Sequence, residues 1–102
     1  MSRGLILRPA AEEDVRQGYL WYEERQTGLG RRFMEALDAA LLAIEKRPVA
    51  CQEVEGDVRR ALTRRFPYGV FYVVEPQRIV VLAVLHTARD PQAWKARAGT
   101  DR

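Results

Sequence analysis

Cysteine occurs once in this chain of 102 residues, at Cys51, so no disulfide can close within it, which suits a reducing cytoplasm. Histidine also occurs once, at His86, and one thiol with one imidazole is too few ligands for a transition-metal site in a single chain. A paired-cysteine motif, a helical His pair with an intervening Glu and a Gly-rich phosphate loop are all absent. Gly28-Leu29-Gly30 is too short for a dinucleotide fingerprint and follows a helical pattern, not a strand. The expectation is therefore neither metal nor cofactor. The longest apolar stretch, Ile79 to Leu85, is strand-length and far below the roughly 20 residues of a membrane helix. Met1 to Arg8 likewise holds no apolar region long enough for a signal peptide. Lysine is scarce as well, with two residues, Lys46 and Lys95, against fifteen arginines.

What remains is a chain with 47% hydrophobic and 30% charged residues, a composition that folds rather than stays disordered. Its length accommodates one domain, residues 1–102. The net charge of +3 is unevenly placed. Residues 1–57 carry eight basic and eleven acidic side chains, and residues 58–102 carry nine basic and three acidic, so the segments stand at −3 and +6. Arginine pairs bidentately with phosphate and carboxylate, so the second segment suggests an anionic partner, nucleic acid or an acidic protein segment.

The pattern along the chain gives a fold class. Leu5-Ile6-Leu7 reads as a short strand closed by Pro9, and Glu12, Glu13 and Asp14 as acidic helix-start residues. Ala11, Val15, Tyr19 and Tyr22 then make one apolar helical face, to about Gln26. Thr27-Gly28-Leu29-Gly30 breaks the helix, and Phe33, Leu37, Ala40, Leu41 and Ile44 continue a second one until Pro48. Residues 49–57 read as a loop. Strands are expected at Val58–Phe66, Val70–Val74 and Ile79–His86, with turns at Phe66-Pro67-Tyr68-Gly69 and Glu75–Arg78, and the last strand buried on both faces. Asp90-Pro91 caps a short helix that carries Trp94. The class is α+β, β-α-α-β-β-β with a short C-terminal helix, the helical hairpin on one face of a mainly antiparallel sheet.

The candidate site residues are basic or aromatic. Strand alternation puts Arg60 and Arg64 on one face and Arg59 and Arg65 on the other, where guanidinium groups could grip phosphates or simply keep the sheet soluble. His86 and Arg89 follow the buried strand; the imidazole could act as a general acid in RNA cleavage or merely bond the neighbouring backbone. Arg89 could instead pair with Asp90 or anchor the last helix. Trp21 and Tyr22 are expected to close the hairpin core, although an exposed Trp21 would mark a partner contact. Helix-start chemistry accounts for Glu12, Glu13 and Asp14.

These residues together resemble the RelE/ParE family, toxins of bacterial type II toxin–antitoxin modules, in its ParE-like branch. The resemblance runs through Arg8-Pro9-Ala10 with Asp14, Trp21-Tyr22-Glu23, Gly28-Leu29-Gly30 with Phe33, then Ile44 and Pro48. It continues in Arg65-Phe66-Pro67-Tyr68 with Tyr72, Ala83-Val84-Leu85-His86, and Arg89-Asp90-Pro91 with Trp94. It implies a cytoplasmic growth-inhibiting toxin, of the plasmid-stabilisation type, held inactive by a cognate antitoxin protein. ParE-like members inhibit DNA gyrase, whereas RelE-like members cut mRNA on the ribosome with Arg, Lys and a late Tyr or His. Here no Tyr follows Tyr72 and no Lys lies in the expected strands. The resemblance therefore leans to a non-enzymatic gyrase inhibitor that binds its target or antitoxin through Arg59, Arg60, Arg64, Arg65, His86, Arg89 and Trp21. The alternatives are a ribosome-dependent endoribonuclease using His86, Arg64 and Arg89, and an inactive homologue that only binds antitoxin.

Overall fold

Pro9, which has no amide hydrogen to give to a ladder, serves as the first residue of a helix, where none is required. The computed structural model describes residues 4–98. Within them β1 spans Gly4–Leu7, α1 Pro9–Arg25 and α2 Leu29–Lys46. β2 follows at Glu53–Glu55, β3 at Val58–Leu62, β4 at Tyr68–Val74, β5 at Arg78–His86 and α3 at Gln92–Ala98. The five strands form one sheet in the order β1-β5-β4-β3-β2. β1 runs parallel to β5 and the remaining pairs are antiparallel. The expected α+β class and the helical hairpin on a mainly antiparallel sheet are what the structure has.

The hairpin turns at Gly28, whose φ of 91° lies in the left-handed region that glycine enters without a Cβ penalty. Glu23, from the end of α1, accepts the Gly28 amide at 3.0 Å and the Gly30 amide at 3.0 Å, satisfying donors at the start of α2. α1 and α2 then bury Ala11, Tyr22, Phe33, Leu37 and Ile44 against Ala61, Val70, Tyr72, Ile79, Val81 and Val84 of the sheet. On the opposite face, α3 lays Trp94 parallel to the Phe71 ring, with centroids 4.7 Å apart, over Val73, Val80, Leu82 and Leu85. β5 is buried on both faces because each face carries a helical layer.

Three expectations change. Residues 49–57 are not all loop: Glu53–Glu55 pairs with β3 as an edge strand. The third strand stops at Leu62, four residues before Phe66, because Thr63 folds back; its hydroxyl donates to the Phe66 carbonyl at 2.7 Å. The turn accordingly lies at residues 63–67, and Tyr68 and Gly69 already belong to β4. Tyr19 does not join the apolar face of α1. It stays partly exposed, its ring lying over Gly30 where the two helices cross, and Gly18 takes the buried position.

Candidate functional site

Asp14, Gly18, Trp21 and Tyr22 recur at three- and four-residue steps, so they line one side of α1. That side meets Tyr68 at the start of β4 and His86 at the end of β5, leaving a cleft of about 340 Å³ with Arg89 at its rim. Gly18 is what lets the elements come this close. A Cβ there would stand 2.9 Å from the Phe33 ring and 3.4 Å from the Tyr68 hydroxyl.

The floor of the cleft is held by an ion pair between distant parts of the chain. Asp14, its side chain 9% exposed, accepts both guanidinium nitrogens of Arg97 from α3, at 2.5 and 3.1 Å. The same carboxylate accepts the Val84 amide at 3.0 Å, and Arg97 donates to the Leu82 carbonyl at 3.1 Å. These two backbone groups lie on β5 beyond Val81, the last β5 residue that β1 pairs. Side chains there do the work of a missing strand. Leu82 is the additional residue of a bulge, since Phe71 pairs with Ala83 and Tyr72 with Val81.

Above this floor the cleft presents aromatic and basic groups. Trp21 is 48% exposed, with the Arg25 guanidinium 3.2 Å from its ring centroid. The expectation that both Trp21 and Tyr22 close the hairpin core therefore holds for Tyr22 alone, and Trp21 is left facing solvent. Tyr68 packs edge-on against His86, with centroids 5.6 Å apart. Burial pushes the Tyr68 hydroxyl above its ordinary range, while nearby Arg89 pulls it down, so at neutral pH it is a phenol and not a base. The His86 Nδ1 accepts the Ala88 amide at 3.0 Å, which fixes the orientation of the ring. Of the arginines among the described residues, Arg89 is the one that lines the cleft.

The other candidate arginines lie elsewhere. Arg59 is on the hairpin face, opposite Tyr72, and reaches the Cys51 carbonyl at 2.6 Å and Glu53 at 3.5 Å. Arg60 pairs with Phe71 on the α3 face, its stem lying over Gly69. Arg64 and Arg65 belong to the turn rather than to the strand, so the expected pairing of Arg60 with Arg64 and Arg59 with Arg65 does not form. Alternation ends where the strand ends. Arg89 does not anchor the last helix or pair with Asp90; Arg97 is the anchor, and Asp90 accepts the Gln92 amide at 2.9 Å as the helix cap.

Sequence reasoning missed Asp14 and Arg97. Asp14 carried a visible signal: a carboxylate one turn before Gly18 and two before Tyr22 points to the core side, where helix-start chemistry alone does not suffice. Nothing in the spacing pointed to Arg97.

Among the described residues, no group of three or more His, Cys, Asp or Glu side chains is placed to hold a metal ion, and no helix is long and apolar enough to cross a membrane. No curated protein matches the chain in sequence. A solved structure titled as the chromosomal ParDE TA system from P. aeruginosa is similar in fold, with a TM-score of 0.71 and 15% identity over 82% of this chain and 95% of that one. The model of the family described as ParE toxin of type II toxin-antitoxin system, parDE, matches residues 5–91, and the chain belongs to that family.

Proposed function

We propose that this protein inhibits DNA gyrase in the cytoplasm without catalysing a reaction, and that a cognate antitoxin silences it by covering the cleft beside Trp21, His86 and Arg89. The observation that carries the reading is that Arg89 is the one arginine among the described residues that lines the cleft of His86. Cleavage of RNA calls for several cations around one phosphate together with an acid and a base. Here Arg59 is engaged by backbone carbonyls and Glu53, Arg60 lies on the α3 face, and Arg89 alone joins His86 in the cleft. The imidazole already has Nδ1 committed to the Ala88 amide, which suits a fixed contact better than a proton relay. Exposed Trp21 with a rim guanidinium is the combination from which protein interfaces draw most of their affinity.

Expression without antitoxin tests this. Filamentation with DNA-damage signalling, and loss of supercoiling by purified gyrase, is the expected outcome. Immediate arrest of translation with cut mRNA, abolished by His86→Ala, would instead establish the ribonuclease. Absence of any toxicity would leave a protein that only binds antitoxin. Trp21→Ala with Arg89→Glu is expected to weaken the antitoxin complex by about 30-fold or more, each anchor contributing about 1 kcal/mol or more.

A further inference from the structure

Arg65 is the one non-glycine residue with positive φ among the described residues, at 70°. A left-handed arginine is strained, because its Cβ crowds the following carbonyl, and such strain persists where the surroundings enforce it. The enforcement is visible. Thr63 donates its amide to the Tyr68 carbonyl at 3.0 Å and its hydroxyl to the Phe66 carbonyl at 2.7 Å. Phe66 is clamped between Tyr22, at 4.9 Å, and Phe33, at 5.6 Å between centroids. The turn is thus rigid, and it holds Arg64 and Arg65 outward, facing Arg32 of α2 across an open groove of about 720 Å³. None of the three guanidinium groups has an ion pair or hydrogen bond within the described residues. The carboxylate in the groove, Glu35, lies 3.6 Å from Arg31.

Three unpaired guanidinium groups on a fixed frame select an anion, and the rest of the groove selects which one. Its apolar residues, Leu29, Ala36 and Phe66, are partly buried, and none of the large exposed hydrophobic side chains of the molecule lies in it, so a peptide would find no anchor. Its one aromatic ring, Phe66, is partly buried and packed against Tyr22 and Phe33, so the groove holds no series of rings on which successive unpaired bases could stack. We propose that this groove binds the phosphodiester backbone of duplex DNA, with Arg32, Arg64 and Arg65 each taking one phosphate. It is a different surface from the Trp21 cleft, and it would hold DNA while that cleft engages protein.

The test is fluorescence anisotropy on a short random-sequence duplex, a single-stranded RNA of equal length and a poly-glutamate peptide, with the full chain and no gyrase. Three phosphate contacts give a slope of log affinity against log salt of about −2.7, which is about a 40-fold loss of affinity between about 50 and 200 mM salt. Removing two contacts by Arg64→Ala with Arg65→Ala should leave a slope of about −0.9 and about a 3.5-fold loss over the same range. Arg65→Gly separates strain from charge: it is expected to raise the melting temperature while the slope falls by about 0.9. An unchanged slope in the double variant, no duplex binding by the wild type at about 50 mM salt, or tighter binding of the RNA or the peptide than of the duplex, would each overturn the proposal. Failure here leaves the gyrase reading standing, since the assay contains no gyrase.

Discussion

Asp14 and Arg97 are 83 positions apart, yet together they bond two backbone groups of β5. The carboxylate is nearly buried and the guanidinium largely hidden, so removing either leaves a desolvated charge beside unsatisfied backbone groups. Asp14→Ala is expected to cost about 2–3 kcal/mol in urea denaturation, the figure being discounted for the exposure of Arg97. In a double-mutant cycle with Arg97→Ala the two losses should not add. By contrast, Glu13, one residue earlier, is exposed. Its carboxyl is held at about 2 by hydrogen bonds from Arg16 and Gln17, within a single turn of α1. Adjacent acidic residues thus have unrelated tasks, and only their position around the helix tells them apart. That much was open to reading in the sequence; the partner of Asp14 was not, because a contact across 83 residues leaves no local pattern.

At the scale of elements, the hairpin and the sheet meet through the aromatic cluster of Tyr22, Phe33, Phe66 and Tyr68, whose centroids lie 4.9 to 6.0 Å apart. Gly18 sets the depth of that contact. Gly18→Ala gains about 1 kcal/mol of helix propensity but drives a methyl to within 2.9 Å of a Phe33 ring that is wholly buried and cannot retreat. The expected net result is a loss of about 1–2 kcal/mol by thermal or urea unfolding, together with a wider cleft that weakens the antitoxin complex. The helical period and the Gly28 break make both hairpin helices legible from local pattern alone. The short β2 strand is not, because Glu53-Val54-Glu55 is held by pairing with β3 and by the Lys95–Glu55 ion pair at 3.1 Å rather than by propensity. Likewise Arg64 and Arg65 continue a strand-like sequence, and only the Thr63 bonds turn them out of the sheet.

The molecule as a whole is fastened partly by tyrosines. Tyr72 is wholly buried, and its hydroxyl donates to the Pro48 carbonyl at 2.7 Å, fixing the end of the hairpin to the sheet. Burial raises its ionisation far above the usual 10.0, and burial raises Tyr22 and Tyr68 in the same direction. The unfolded chain therefore loses phenolic protons first as the medium becomes alkaline. Stability should be fully present below pH 10.0, the ordinary tyrosine value, and should fall as pH rises beyond it. Urea midpoints measured from neutral to alkaline pH check this, and Tyr72→Phe should flatten the decline while costing about 1 kcal/mol at neutral pH for the lost hydrogen bond.

The α+β class, the hairpin, the doubly buried β5 and the family resemblance can all be read from the chain, because these depend on periodicity and local turn chemistry, which are written in neighbouring residues. The segregation of charge, −3 against +6, was equally legible. Where that charge goes depends on packing: Arg59 folds onto carbonyls, Arg97 lies against Asp14, Arg60 over Gly69, and Arg64 with Arg65 opposite Arg32. Charge is a property of composition, but the availability of a charge depends on which partner packing brings beside it.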